Sequence, residues 1–220
     1  MQLRYGKLMV SAIAALAVAG AYASWTITID QNTGNVTSSS GTQPTAALVQ
    51  TFPNPLPRVY VIPMAGNPFP IAAGDGYPYT AGNSSVTYTV SGSGSEPIIG
   101  VFVTTIGFVR GNASIFWSKL VVDIPTNTPI LFISAAFSGS GLGGSDGPIF
   151  NAQFFNFSTP SSNFSVLDTI TVFAREAPSA NDIAFAFSLS QEFVPVPEPA
   201  SMLALGVGLA GLVGLRRRKK

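Results

Sequence analysis

Ile183-Ala184-Phe185-Ala186-Phe187-Ser188-Leu189-Ser190-Gln191-Glu192-Phe193 sets Ile183, Phe185, Phe187, Leu189 and Phe193 against the smaller or polar Ala184, Ala186, Ser188, Ser190 and Glu192. Successive side chains of an extended chain point to opposite faces, so this period of two predicts a half-buried strand. Trp25 to Asp30, Ser85 to Val90 and Val166 to Arg175 carry the same rhythm. Ile98 to Val109, Ile115 to Val122 and Ile130 to Phe137 are apolar on both faces, the pattern of central strands, and Phe150 to Phe157 is a further candidate. Turn signals separate them: Asn32-Thr33-Gly34, Gly74-Asp75-Gly76, Arg110-Gly111-Asn112, Pro125 to Pro129 and Pro178 to Asp182. No helical period of 3.6 occurs in this part of the chain. The expected fold is all-β, a two-layer antiparallel β-sandwich of jelly-roll type with roughly eight or nine strands.

Thr51 to Pro70 holds six prolines and is expected to be a long surface connection, with a short edge strand at Val59 to Ile62. Gly139 to Gly147 is a second long loop, and Gly92 to Gly94 a smaller flexible turn. Gln191 to Pro197 is expected to form a semi-rigid stalk after the last strand.

Beyond that stalk the chemistry changes. Val196-Pro197-Glu198-Pro199-Ala200-Ser201 runs into the charge-free apolar stretch Met202 to Leu215, and the chain stops on Arg216, Arg217, Arg218, Lys219 and Lys220. Such a basic cluster is retained on the cytoplasmic side of a membrane, which puts the Pro-Glu-Pro box outside. A helix from Ala200 to Leu215 would be about 24 Å long, short of the roughly 30 Å hydrocarbon layer, so it spans only with snorkelling side chains and local thinning. Pro197 and Pro199 cannot sit inside a regular helix and hold the box extended, where a protease can grip it.

This tail resembles the PEP-CTERM sorting signal of exported bacterial proteins. Pro197, Glu198 and Pro199 fall on the motif, Met202 to Leu215 on the membrane helix, and Arg216, Arg217 and Arg218 on the basic end. An ordinary C-terminal anchor would need no such ordered box. The resemblance covers the tail only. It implies exosortase as processing enzyme, transient anchoring in the inner membrane, and release or attachment at the cell surface or in an exopolysaccharide matrix.

At the other end, Arg4 and Lys7 precede the apolar run Leu8 to Ala19 and Ala21-Tyr22-Ala23, the layout of a secretory signal peptide cleaved after Ala23. An uncleaved anchor is the alternative, with a run short for a spanning helix. The expected organisation is therefore residues 1–23 signal peptide, 24–193 ectodomain and 194–220 sorting signal.

Between the signals, residues 24–197 carry Arg58, Arg110, Lys119 and Arg175 against nine acids, a net charge of −5. No basic surface remains to track a phosphate backbone, so nucleic acid is not an expected partner. About 170 residues fit one domain. The chain has no cysteine and no histidine, which excludes disulfides, Ser-His-Asp and Cys-His sites, and His- or Cys-ligated zinc.

The remaining candidates are weaker. Glu176, Asp182 and Glu192 form the one acidic cluster that could supply a glycosidase pair; solvated charges are the plainer reading. Asp75 and Asp146 lie in glycine loops without a second acid, which favours turn chemistry over calcium. Lys119 cannot pair with Ser118, since neighbours on a strand face opposite ways. It reads as an edge-protecting or snorkelling lysine, with an intramolecular amide bond to an asparagine as the alternative. Tyr60, Tyr77 and Tyr79 could stack on sugars or simply pack, while Trp25 and Trp117 are expected in the core. Five Asn-x-Ser/Thr triplets, at Asn35, Asn83, Asn112, Asn156 and Asn163, carry no expectation in a bacterial chain. The expected function is an exported, non-enzymatic surface or matrix protein, without cofactor or metal, associated with polysaccharide; a secreted carbohydrate-active hydrolase is the alternative.

Overall fold

Hydrophobic alternation and turn chemistry place twelve strands among the described residues of the computed structural model, which are 24–54, 56–63, 72–74, 79–93, 96–175, 181–196 and 207. They are β1 (Ser24–Ser38), β2 (Gly41–Thr45), β3 (Leu48–Phe52), β4 (Arg58–Ile62), β5 (Ala72–Gly74), β6 (Ala81–Ser93), β7 (Ile98–Arg110), β8 (Ala113–Asp123), β9 (Thr128–Ser138), β10 (Gly147–Ser161), β11 (Asn163–Ala174) and β12 (Ile183–Pro195). One sheet runs β2-β1-β6-β11-β8-β9, the other β10-β7-β12-β4-β3 with β5 also on β12. Every pairing is antiparallel. The fold is thus the expected all-β arrangement of two antiparallel sheets.

The core lies between the sheets. From the first come Val86, Tyr88 and Val90 of β6, Phe164, Val166, Ile170 and Val172 of β11, and Ile115, Trp117 and Val121 of β8. From the second come Val101, Val103 and Val109 of β7, Val59 and Val61 of β4, and Leu189 and Phe193 of β12. Phe193 packs its ring 5.2 Å from Phe164 and 6.4 Å from Tyr88, tying the two layers together. Each such fully buried large side chain contributes about 1.5–3 kcal/mol of transfer free energy. Trp25 and Trp117 are buried as expected.

Five expectations about particular strands are corrected by the structure. Asn32-Thr33-Gly34 is not a turn; β1 passes through it and reverses at Ser39 and Ser40. Asn32 instead brackets Ala47, donating to its carbonyl at 2.7 Å and accepting from its amide at 2.8 Å, and a Cβ on Gly34 would stand 2.6 Å from the Asn83 carbonyl oxygen. β4 is not an edge strand: it pairs with β12 on one side and β3 on the other, with Val59 and Val61 facing the core. β9 is an edge strand rather than a central one: it ends its sheet, paired with β8, and carries the core on one face and exposed Phe132 on the other.

The fourth and fifth corrections concern β12. A bulge between Ala186 and Ser188 switches which positions face inward. Ala184 and Ala186 are buried before it and Leu189, Gln191 and Phe193 after it, so Phe187 is turned out to solvent. The stalk expected at Gln191 to Pro197 is mostly strand: Glu192 pairs with Phe102, Val194 with Gly100 and Pro195 with Ile98, and the Val196 amide donates to the Pro97 carbonyl. Pro195 is tolerated because the register shifts there, at the strand end.

The pairing also fixes where the chain enters and leaves. Ser24 lies opposite Ser93 at the end of β6, and Pro195 opposite Ile98 at the start of β7. Both ends therefore emerge at one pole of the sandwich, beside the β8–β9 turn. The β7–β8 turn, the β9–β10 loop and Asp182 form the opposite pole.

Candidate functional site

At the far pole, acids hold loops together. Asp146 accepts from the backbone amides of Gly111 and Ser140, both at 2.8 Å, and from the Ser140 hydroxyl at 3.0 Å. These donors, the Ser140 amide foremost, lower its pKa. Asp182 is buried and its Oδ1 accepts from the Asn112 amide at 2.8 Å. Gly111, at φ 67°, lets the turn pass: a Cβ there would overlap Asp182 Oδ1. Asp146 is thus a turn clamp, as its glycine context suggested, and no cluster of three metal-ligating side chains occurs among the described residues. A cleft of about 430 Å³ opens beside it between Ala136–Ser138 and Gly144–Asn151.

Glu192 forms an exposed ion pair with Arg58, Nε to Oε2 at 2.8 Å. Asp182 precedes β12 and Glu192 sits ten positions later, so at about 3.3 Å per residue they are roughly 30 Å apart. A glycosidase pair needs about 5–9.5 Å, so these two acids do not form one. Glu176 lies outside the described residues, as do Asp75 and Tyr77. Tyr60 stacks edge-on against Phe52 at 5.6 Å, beside a cleft of about 240 Å³ with Gln50, Asn54 and Arg58.

The outer face of the second sheet is aromatic. Phe150 and Phe154 on β10 lie opposite Ile106 and Phe102 on β7, and Phe187 projects from the β12 bulge beyond them. Phe150 is 74% exposed and Phe187 49%. These strands place alternate residues on one face, so the rings form a patch across three strands, Phe150 and Phe187 flanking Ile106 and Phe154 beside Phe102.

The most unusual chemistry lies inside. Lys119 on β8 and Asp168 on β11 are direct cross-strand partners, with Tyr88 on β6 and Gln191 on β12 beside them. Lys119 Nζ donates to Asp168 Oδ1 at 2.5 Å and also to Gln191 Oε1. Gln191 Nε2 donates to Asp168 Oδ2 at 2.6 Å, and the Tyr88 hydroxyl donates to Gln191 Oε1. Lys119 and Tyr88 are fully buried, Asp168 is 1% exposed and Gln191 2%. Burial lowers the Lys119 pKa, opposed by the Asp168 charge, and burial together with that charge raises the Tyr88 pKa well above the phenol range. Lys119 is therefore neither an edge guard nor a snorkelling side chain, since β8 is flanked by β11 and β9. The polar partner within reach is a glutamine, not the asparagine considered from sequence.

Sequence reasoning passed over Asp168, Gln191 and the role of Tyr88. A signal was present: Asp168 falls between Val166 and Ile170, and Lys119 between Trp117 and Val121, each on the inward-facing set of its strand. A charge at an inward position is expensive unless paired, so two such charges imply one another. Gln191 was hidden by the bulge.

The sorting residues Pro197, Glu198, Pro199, Arg216, Arg217 and Arg218, and the cleavage residues Ala21 and Ala23, lie outside the described residues, as does most of Met202 to Leu215. Among the described residues no helix is long and apolar enough to cross a membrane.

The tail matches the PEP-CTERM protein-sorting motif over residues 195–219. No curated protein matches the sequence. Among solved structures, the chain aligns with the CBM36-1 domain of a multidomain xylanase from the hindgut metagenome of Trinervitermes trinervoides at 14% identity and TM-score 0.28, covering 78% of this chain and 99% of that one. It aligns with TmCBM61 in complex with β-1,4-galactotriose at 11% identity and TM-score 0.32, covering 79% and 91%. With the enzymatically active domain of bacteriophage CBA120 tailspike protein 4 it shares 11% identity at TM-score 0.31, covering 79% of this chain but 19% of that one.

Proposed function

We propose that the protein is an exported, exosortase-processed component of the cell surface or extracellular matrix, with a jelly-roll-like ectodomain that associates with polysaccharide and has no catalytic activity on an external substrate. The observation that carries this reading is the sorting motif at residues 195–219. Residues 1–23 acting as a signal peptide, and the apolar stretch Met202 to Leu215 entering the membrane, complete the proposed route: export, a transient stop in the inner membrane, then cutting at the box. The patch of Phe102, Phe150, Phe154 and Phe187 supports the polysaccharide part, because flat exposed rings stack on the apolar faces of sugars. The distance between Asp182 and Glu192 and the lack of histidine and cysteine support the non-catalytic part.

Mass spectrometry of protein from its native cell tests the route. The expected product begins at Ser24 and ends near Pro197 to Pro199, free or carrying an attached group; a product that keeps Arg216 to Arg218 in cells with exosortase rejects it. Sedimentation of purified residues 24–196 with native exopolysaccharide tests the binding. Association should fall at least tenfold when Phe150, Phe154 and Phe187 are changed to serine, and equal association of both proteins rejects the aromatic face.

A further inference from the structure

We propose that Lys119 and Gln191 join spontaneously through an intramolecular isopeptide bond, with Asp168 as proton carrier and Tyr88 as the donor that polarises the reacting carbonyl. The inference is independent of the sorting reading. It rests on four side chains that occupy the four positions such a reaction needs. The nucleophile is the Lys119 amine, whose Nζ contacts Gln191 Oε1, one bond from the carbon it must reach. The carbonyl oxygen that must accept negative charge already receives the Tyr88 hydroxyl. The nitrogen that must leave, Gln191 Nε2, is bonded to Asp168 Oδ2, while Asp168 Oδ1 holds the amine, so one carboxylate touches both ends of the proton path.

The steps balance without a co-reactant. Asp168 takes a proton from the Lys119 ammonium, leaving a neutral amine. Nζ attacks Gln191 Cδ; the new C–N bond forms as the carbonyl electron pair moves onto Oε1, under the Tyr88 hydroxyl. Asp168 passes its proton to Nε2, the Cδ–Nε2 bond breaks as the carbonyl re-forms, and ammonia departs. The remaining extra proton of Nζ goes to Asp168. Lysine ammonium, carboxylate and primary amide become a secondary amide, a neutral carboxylic acid and ammonia. A buried pair of charges is thereby replaced by neutral groups, which relieves the desolvation cost of holding ions in an apolar core.

Fixed geometry supplies the rate, since intramolecular partners held in place act at very high effective concentration. Exclusion of water from all four groups protects the amide from hydrolysis. The bond would fasten β8 of one sheet to β12 of the other in a chain with no cysteine to do so.

Proteolysis of the folded full chain followed by tandem mass spectrometry reads the result directly. A branched peptide linking Lys119 to Gln191 and lacking one ammonia is expected. Linear peptides with both residues unmodified would overturn the proposal, and so would a Lys119–Asp168 link lacking one water. D168N should abolish the branched peptide, and Y88F should slow its formation roughly hundredfold. Because these variants can misfold, the wild-type measurement decides alone, and K119R, which keeps the buried charge, supplies the linear-peptide standard.

Discussion

Lys119 and Asp168 illustrate how context decides what a charged side chain does. On an exposed strand their pairing would be worth under about 1 kcal/mol. Here both are closed off from water, so a chain that lacks Lys119, and with it any cross-link, leaves Asp168 in the core without its cation and with Gln191 Nε2 as its remaining partner. K119M is expected to cost about 3–5 kcal/mol, measured by urea unfolding at neutral pH. The double replacement K119M/D168L should cost less than K119M alone, because it leaves no lone buried charge: Tyr88 still donates to Gln191 Oε1, and the group left without its partner is the neutral Gln191 Nε2. A second local prediction concerns Gly111. With φ at 67° and Asp182 Oδ1 in the space a Cβ would take, G111A should destabilise by more than about 1 kcal/mol, seen as a lowered urea midpoint with unchanged slope.

The β9–β10 loop depends on an ionised Asp146. Its folded pKa is depressed by the Ser140 and Gly111 amides, so the loop contribution is complete above the ordinary carboxylate range and is lost as pH falls through the lowered folded value. An NMR titration should find the Asp146 carboxyl midpoint below that of a free aspartate, and D146N should remove this part of the acid dependence. Asp123 behaves alike beside the β8–β9 turn, held chiefly by the Ser161 hydroxyl at 2.5 Å. Strand existence was legible in the sequence wherever alternation and turn residues agreed, as in β6, β8 and β11. Strand neighbours were not, because apolar patterning records which faces are covered and not which strand covers an edge; hence the exchange of places between β4 and β9. β12 defeated the reading for another reason. Its larger side chains, Phe185 and Phe187, suggested the inner face, yet the bulge gives that face to Ala184, Ala186 and then Gln191. The polar quartet became visible only once that parity was known.

Two layers joined mainly by side-chain packing can slide or part, and this chain has no disulfide to prevent it. A bond closing the 72-position interval between Lys119 and Gln191 would, on the chain-entropy account, add about 4 kcal/mol. Loss of the bond in K119R, which keeps the buried charge, should then lower Tm by on the order of 10 °C in calorimetry. Ser24 and Pro195 lie at one pole of the sandwich, with the loops around Asp146 and Asp182 at the other. The course of β12 has a mechanical consequence as well. It is an interior strand, paired with β7 as far as Pro195, where the residues matched by the sorting motif begin. A pull applied at Pro195 along the axis of β12 is the case in which this pairing matters. Pulled that way, the rungs of the β7–β12 ladder share the load in shear instead of unzipping one after another, and Gln191 stands only four positions from where the force arrives.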